Sequence, residues 1–190
     1  MPITVTTPPT DIPVTIDDAK AQCGLLDDTH DELLLVFINA ATASIEEMIG
    51  AKLMPQTLLI TRNTLPHDSA FDLGVFPIQS VDSFEVDSSG NPLTLEQDID
   101  YYAALEGMYP LLAPVSGWPE TTDGKPGAVR ITVTAGFTDQ SYIPKNIQQA
   151  ILMRVKEMFA NRGESVSGVS TEAAILNIDA LLDQTRRIAL

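Results

Sequence analysis

The hydrophobic period of this chain changes twice, and those changes limit the folds open to it. Between positions 28 and 49, apolar residues recur at steps of three and four: Leu34, Ile38, Ala41, Ile45 and Met48, with Leu33, Phe37 and Ile49 widening the stripe. That spacing predicts a helix packed on one side. Asp28 is placed to cap it, Asp31 and Glu32 lie where the positive end of the helix dipole favours acids, and Gly50 is placed to end it. Asn39, Thr42, Ser44, Glu46 and Glu47 fall on or beside the outer face. From about Leu53 to Phe137 the period shortens. Residues 57–61, 80–86 and 128–134 read as strands, rich in β-branched side chains, and 129–134 alternates apolar and polar. Asp87-Ser88-Ser89-Gly90-Asn91 is a turn able to join two of them. Pro66, Pro77, Pro92, Pro110, Pro114, Pro119 and Pro126 keep these strands short and favour edge positions.

The helical period returns at Pro144, well placed at the first helical position. Ile147, Ala150, Ile151, Val155, Met158 and Phe159 form the stripe, and Gly163 is expected to close it. A Gly/Ser-rich link (164–170) leads to a last helix over 171–187, with Ala174, Ile175, Ile178, Leu181 and Leu182 inward and Arg186 and Arg187 in the final turn. Upstream, Thr15 with Asp17 and Asp18 resembles the start of a short helix that stops near Gly24. Residues 1–14, rich in Thr and Pro, predict an extended arm without a regular element.

Helices at both ends and strands between them predict an α+β fold. It would be mainly a helical bundle formed by both ends of the chain, with a small antiparallel β-subdomain inserted between helices. The expected divisions are 1–14 as an extended N-terminal arm, 15–52 and 141–190 as the two parts of the bundle, and 53–140 as the inserted β-subdomain.

Charge is unevenly spread. The net charge is −15, and residues 63–124 contain eleven Asp and Glu without one Lys or Arg. Such a segment does not grip phosphates, so nucleic-acid binding there is disfavoured. Acidity of this kind also serves solubility alone. The N-terminus has neither the basic nor the apolar stretch of a secretory signal, and no run of residues has the length of a membrane span. Cytoplasmic synthesis is expected. A single cysteine, Cys23, allows no internal disulfide and reads as a buried, inert thiol.

Catalytic groups are scarce. The two histidines are His30, within an acidic helix start where capping accounts for the acids, and His67, in a Pro- and Asp-containing loop. Gly163-Glu164-Ser165 follows a helix instead of a strand, and Asp98-Ile99-Asp100 lacks the glycine of a calcium loop. No phosphate-binding glycine loop or paired Cys motif is present. Tyr101, Tyr102, Tyr109 and Trp118 read as core and strand-face packing before they read as a ligand patch. No catalytic residue, cofactor or metal is assigned, and an enzyme is not expected. A small hydrolase or metal-dependent enzyme built around His30 or Asp98 is the least favoured alternative.

The order of short motifs then resembles a family. Thr15-Ile16-Asp17-Asp18-Ala19-Lys20 precedes the long helix with Ala40-Ala41 and Ile45-Glu46, and Gly50 is followed by Leu53-Met54-Pro55-Gln56-Thr57. Downstream come Pro77 to Val81, the turn at Asp87 to Gly90, Asp100-Tyr101, Gly117-Trp118-Pro119, Thr134-Ala135-Gly136-Phe137, Ile143-Pro144, Gln149 to Leu152 and Asn161-Arg162. Over residues 15–187 the chain resembles the head–tail connector (adaptor) family of tailed bacteriophages, in the branch with a β-insertion, also found in prophages and gene transfer agents.

The resemblance implies a structural protein of the virion neck, made in the bacterial host. It would form a homo-oligomeric ring, commonly dodecameric in the particle, beneath the portal protein, and the isolated chain could remain a monomer. A downstream neck or tail protein would meet the lower face, and DNA would pass through the channel without specific binding. Arg154, Arg162, Arg186 and Arg187 are the residues available to pair with acidic neighbours at a subunit or portal interface. Because Arg186 to Leu190 end soon after the last helix, no long portal-gripping arm is expected. The alternative role is another neck or tail-completion (terminator) protein of the same particle.

Overall fold

Val129, Ile131, Val133 and Ala135 are buried, whereas Arg130, Thr132 and Thr134 between them are only half-buried. In this computed structural model, which describes residues 2–161 and 178–185, that stretch is β8 (Val129–Ala135), the middle strand of a five-stranded antiparallel sheet. On one side it pairs with β2 (Gln56–Arg62), which in turn pairs with β1 (Ile3–Thr7). On the other side lie β4 (Ile78–Ser88) and β5 (Asn91–Thr94). Ser89 and Gly90, with φ of 53° and 84°, close the tight hairpin between β4 and β5, in which Ser88 pairs with Asn91. Two successive positive φ values match the twist of the strands they join. Pro92 sits in β5, an edge strand, where its missing N–H costs no ladder bond.

A second antiparallel sheet has three short strands, in the order β3 (Phe71–Asp72), β7 (Leu111–Pro114) and β6 (Tyr101–Ala104). Its inward residues Phe71, Leu112 and Tyr101 join Leu58, Ile60, Phe84, Val86 and the buried side of β8 in one core. Phe84 is at the centre of the aromatic packing, with ring centroids 5.2 Å from Tyr101, 5.5 Å from Trp118 and 6.3 Å from Phe71. The Trp118 indole N–H donates to the Ser69 carbonyl at 2.9 Å, so the ring is packed and its polar atom satisfied.

The chain divides into two compact units: residues 1–10 with 54–138 form the β unit, and residues 11–53 with 139–190 form the helical unit. In the latter, α1 (Ile16–Cys23) opens on a capping box. The Thr15 hydroxyl accepts from Asp18 N–H at 3.0 Å, and the Asp18 carboxylate faces back to Thr15. Gly24, at φ 73°, ends the helix. The buried face of α2 (Asp31–Ile49) is Leu34, Ile38, Ala41, Ile45 and Ile49, while Met48 is half-buried. From α3 (Lys145–Ala160) come Ile147, Ala150, Ile151 and Val155. Residues 178–182 are helical and bury Ile178 and Leu182, and the Asn146 amide donates to the Leu181 carbonyl at 2.9 Å.

Several expectations need correction. The arm at 1–14 does contain a regular element. β1 is exposed along its whole length, and its partner is the backbone of β2, so no hydrophobic pattern announces it. Asp28 does not cap α2. It pairs with the Lys20 ammonium, as does Asp31 at 2.8 Å, and the helix starts at Asp31 with His30 in the capping position and no side-chain cap. These two carboxylates raise the pKa of Lys20 above its ordinary value. Pro144 is the N-cap of α3, one residue before the first helical position, and Asn161 is its C-cap. Gly163, the link 164–170 and the first part of the expected last helix lie outside the described residues. The fold is α+β, with strand almost as extensive as helix, so helix does not dominate.

Candidate functional site

Electrostatics separate the possible roles of the β unit. It holds eleven carboxylates and three bases, Arg62, Lys125 and Arg130. Each base is engaged within the unit: the Arg62 guanidinium lies 4.6 Å from the Phe71 ring centroid, Arg130 pairs with Glu85 across β8 and β4 at 3.2 Å, and Lys125 pairs with Asp87. Exposed Asp68, Asp82, Glu96, Asp98, Glu106, Glu120 and Asp123 leave this surface negative. Such a surface repels the phosphates of nucleic acid.

Asp87 has the one buried carboxylate of this set, with a side chain only 5 % exposed. It accepts from the Thr122 hydroxyl at 2.6 Å and from the Lys125 ammonium. Its carbonyl accepts from Thr122 N–H at 2.8 Å, and the Thr122 oxygen accepts from Gly90 N–H at 3.0 Å. The loop after Trp118 is thereby fastened to the β4–β5 hairpin. Lys125 first, then Thr122, hold the Asp87 carboxyl below its ordinary value near 3.8. A depressed carboxyl pKa adds stability above the unfolded-state value and loses it as pH falls through the folded-state value. Asp87→Asn is therefore expected to lower the melting temperature at pH 7, with the gap to wild type closing below about pH 4. Thermal unfolding across that range measures it. A gap independent of pH would contradict the account.

Where the helical unit ends its first segment, Glu46 ties the chain down. Its carbonyl accepts from Gly50 and Ala51 N–H, and its carboxylate accepts from Leu53 N–H at 2.8 Å and Lys52 Nζ at 2.7 Å. Glu46 and the residues from Gly50 to Leu53 thus belong to one structural device, a helix end held by a half-buried carboxylate.

Of the arginines named from the sequence, only Arg154 lies within the described residues. It pairs with Glu157 at 2.8 Å on its own helix, and its Nε is buried without a hydrogen-bond partner. Arg162, Arg186 and Arg187 lie outside the described residues. His30 packs its ring edge-on against Phe159, with centroids 5.5 Å apart, and exposed His67 lies 2.6 Å from Asp68. Asp98 forms a turn at φ 66°, its N–H bonded to the Tyr101 carbonyl. The structure brings no two of His30, His67 and Asp98 together in one described contact. Tyr101 is a core residue, half-buried Trp118 packs against the same core, and burial raises the Tyr101 pKa. Tyr102 instead points outward, 55 % exposed.

Two apolar surfaces were missed from the sequence. Val36, 60 % exposed, and Leu35 lie on the outer side of α2. Tyr102, Leu111 and Val115 line the outer face of the small sheet. The signal was present in Tyr101-Tyr102-Ala103-Ala104 and Leu111-Leu112-Ala113-Pro114, strands apolar at both parities.

Residues 13–86, from two residues before the capping box to near the end of β4, match the family described as phage gp6-like head-tail connector protein. The match covers less than half of the chain. No curated protein is significantly similar in sequence. A likeness of fold to solved structures extends over the whole chain. A protein in the neck of an empty gene transfer agent (GTA) particle, computed with C6 symmetry, matches it at a TM-score of 0.82 and 18% identity, covering 100% of this chain and 97% of that one. A protein in the virion of a native GTA particle matches at 0.81 and 18%, with the same coverage. One in the neck of a native GTA particle computed with C12 symmetry matches at 0.74 and 20%, again with 100% and 97% covered. At these identities the likeness is one of fold.

Proposed function

We propose that this chain is a structural head–tail connector (adaptor) subunit, without enzymatic activity, that joins the DNA-filled head to the tail of a phage or phage-like particle. The observation that carries the reading is the family match over 13–86 combined with a fold that follows, end to end, a protein of GTA necks. The C6 and C12 symmetry of those neck structures supports a homo-oligomeric ring, dodecameric in the particle. The ring sits beneath the portal protein, and its other face receives the next neck or tail protein. The negative β unit suits a subunit beside which DNA moves without sticking. Arg162, Arg186 and Arg187 serve as ion-pair partners for acidic neighbours, and Arg154 joins them where it can share its Glu157.

Deleting the gene from its particle-encoding cluster is expected to leave DNA-filled heads and free tails that do not join, as seen by electron microscopy, with joining restored by the gene in trans. Normal numbers of tailed particles without the gene would overturn the reading. Copurification with tail tubes alone would move the chain to the tail side.

A further inference from the structure

The small sheet buries Phe71, Leu112 and Tyr101 on one face and leaves the other open. Register fixes what the open face holds: Tyr102 pairs with Ala113 and Ala104 with Leu111, and Val115 N–H donates to the Asp100 carbonyl as the ladder continues. Tyr102 is 55 % exposed, Val115 43 % and Leu111 37 %. A sheet apolar on both faces is the pattern of one covered on both faces, and a contiguous exposed apolar patch marks an interaction site.

Carboxylates bound this patch. Asp98 and Asp100 flank exposed Ile99 at the start of β6, Glu106 follows its end, and Asp72 pairs with Leu111 on the far side. No Lys or Arg occurs between positions 63 and 124, and Arg62 lies close enough to Asp72 to interact with its charge. This rim repels nucleic acid and anionic lipid alike. It also opposes self-association through the same face, which would bring carboxylates against carboxylates.

We propose that the outer face of the small sheet docks a second protein, one presenting an apolar surface flanked by lysines and arginines. The apolar centre supplies the contact area and the acidic rim orients the partner. This inference stands apart from the connector reading.

The test is photo-crosslinking in the cells that naturally produce the chain, with Tyr102→p-benzoylphenylalanine, and with the same substitution at exposed Tyr142 as the control position. Irradiation is expected to join position 102, and not 142, to a defined peptide of another protein that contains Lys or Arg. Adding Asp98→Lys and Glu106→Lys is expected to reduce the yield at least about fivefold, because rim charges steer encounter. Crosslinks only to another copy of this chain, crosslinks to nucleic acid, a yield no higher than from position 142, or a yield unchanged by charge reversal would each overturn the proposal. If the substitution at 102 impairs folding, judged by melting temperature, Val115→p-benzoylphenylalanine probes the same face. Sedimentation of the chain with particles is read in the same cells, so the connector reading passes or fails separately.

Discussion

Replacing Gly136 with alanine is expected to cost on the order of 4 kcal/mol, roughly a 10 °C fall in melting temperature for a chain of this size. A Cβ at this position would lie 2.2 Å from the Met54 carbonyl oxygen and 2.4 Å from its carbon. Those atoms are backbone, so no side chain can rotate away. Relief would need movement of the linkage into Pro55, whose ring fixes its own φ. Gly136 is itself pinned, its N–H donating to the Pro77 carbonyl at 2.9 Å and its carbonyl accepting from the Gln79 amide at 2.8 Å. Its φ of 110° adds strain for any residue with a side chain. Gly124→Ala is the control: φ is 69° but nothing lies within 4 Å of the new atom, so only about 1 kcal/mol is expected. Equal shifts for the two variants in thermal unfolding would show that the close approach to Met54 is not real.

Phe84→Ala should be nearly as damaging. The side chain is fully buried, and three aromatic neighbours pack against it. Large-to-small changes at such a site cost about 3–5 kcal/mol through lost burial and the cavity left behind. Total stability of a domain is about 5–15 kcal/mol, so the β unit would be close to unfolding. Trp118 is the only tryptophan, and its centroid is 5.5 Å from that of Phe84, so its fluorescence reports this core directly. The variant is expected to show a red-shifted emission and a lower unfolding midpoint on that probe. Unchanged emission and midpoint would contradict the packing described here.

What the sequence disclosed, and what it hid, follows from where each pattern comes from. α2, β2, β4 and β8 each have one side against a core, so their periods are written in the order of apolar residues. The Ser89-Gly90 turn was equally legible, because only certain residues tolerate positive φ. β1 was not, since its one partner is a neighbouring backbone and its side chains are all exposed. The start of α2 was misplaced because Asp28 has two possible roles, and only the tertiary structure puts Lys20 within its reach. The short strands β3, β6 and β7 were hidden by prolines and by apolar residues at both parities. For the same reason the exposed face of Tyr102, Leu111 and Val115 could not be separated from core. Gly136 stood out as part of a familiar motif, but its physical cause, the carbonyl of Met54, is 82 positions away in sequence.

The central claim is that this subunit works as a ring against a portal. Its most direct test is the mass of the purified chain by light scattering, alone and mixed with the portal protein of the same gene cluster. The account predicts a closed oligomer, formed either alone or only on the portal, with a subunit number compatible with the symmetry of the complex. A chain that stays monomeric in both samples and does not bind the portal would contradict it.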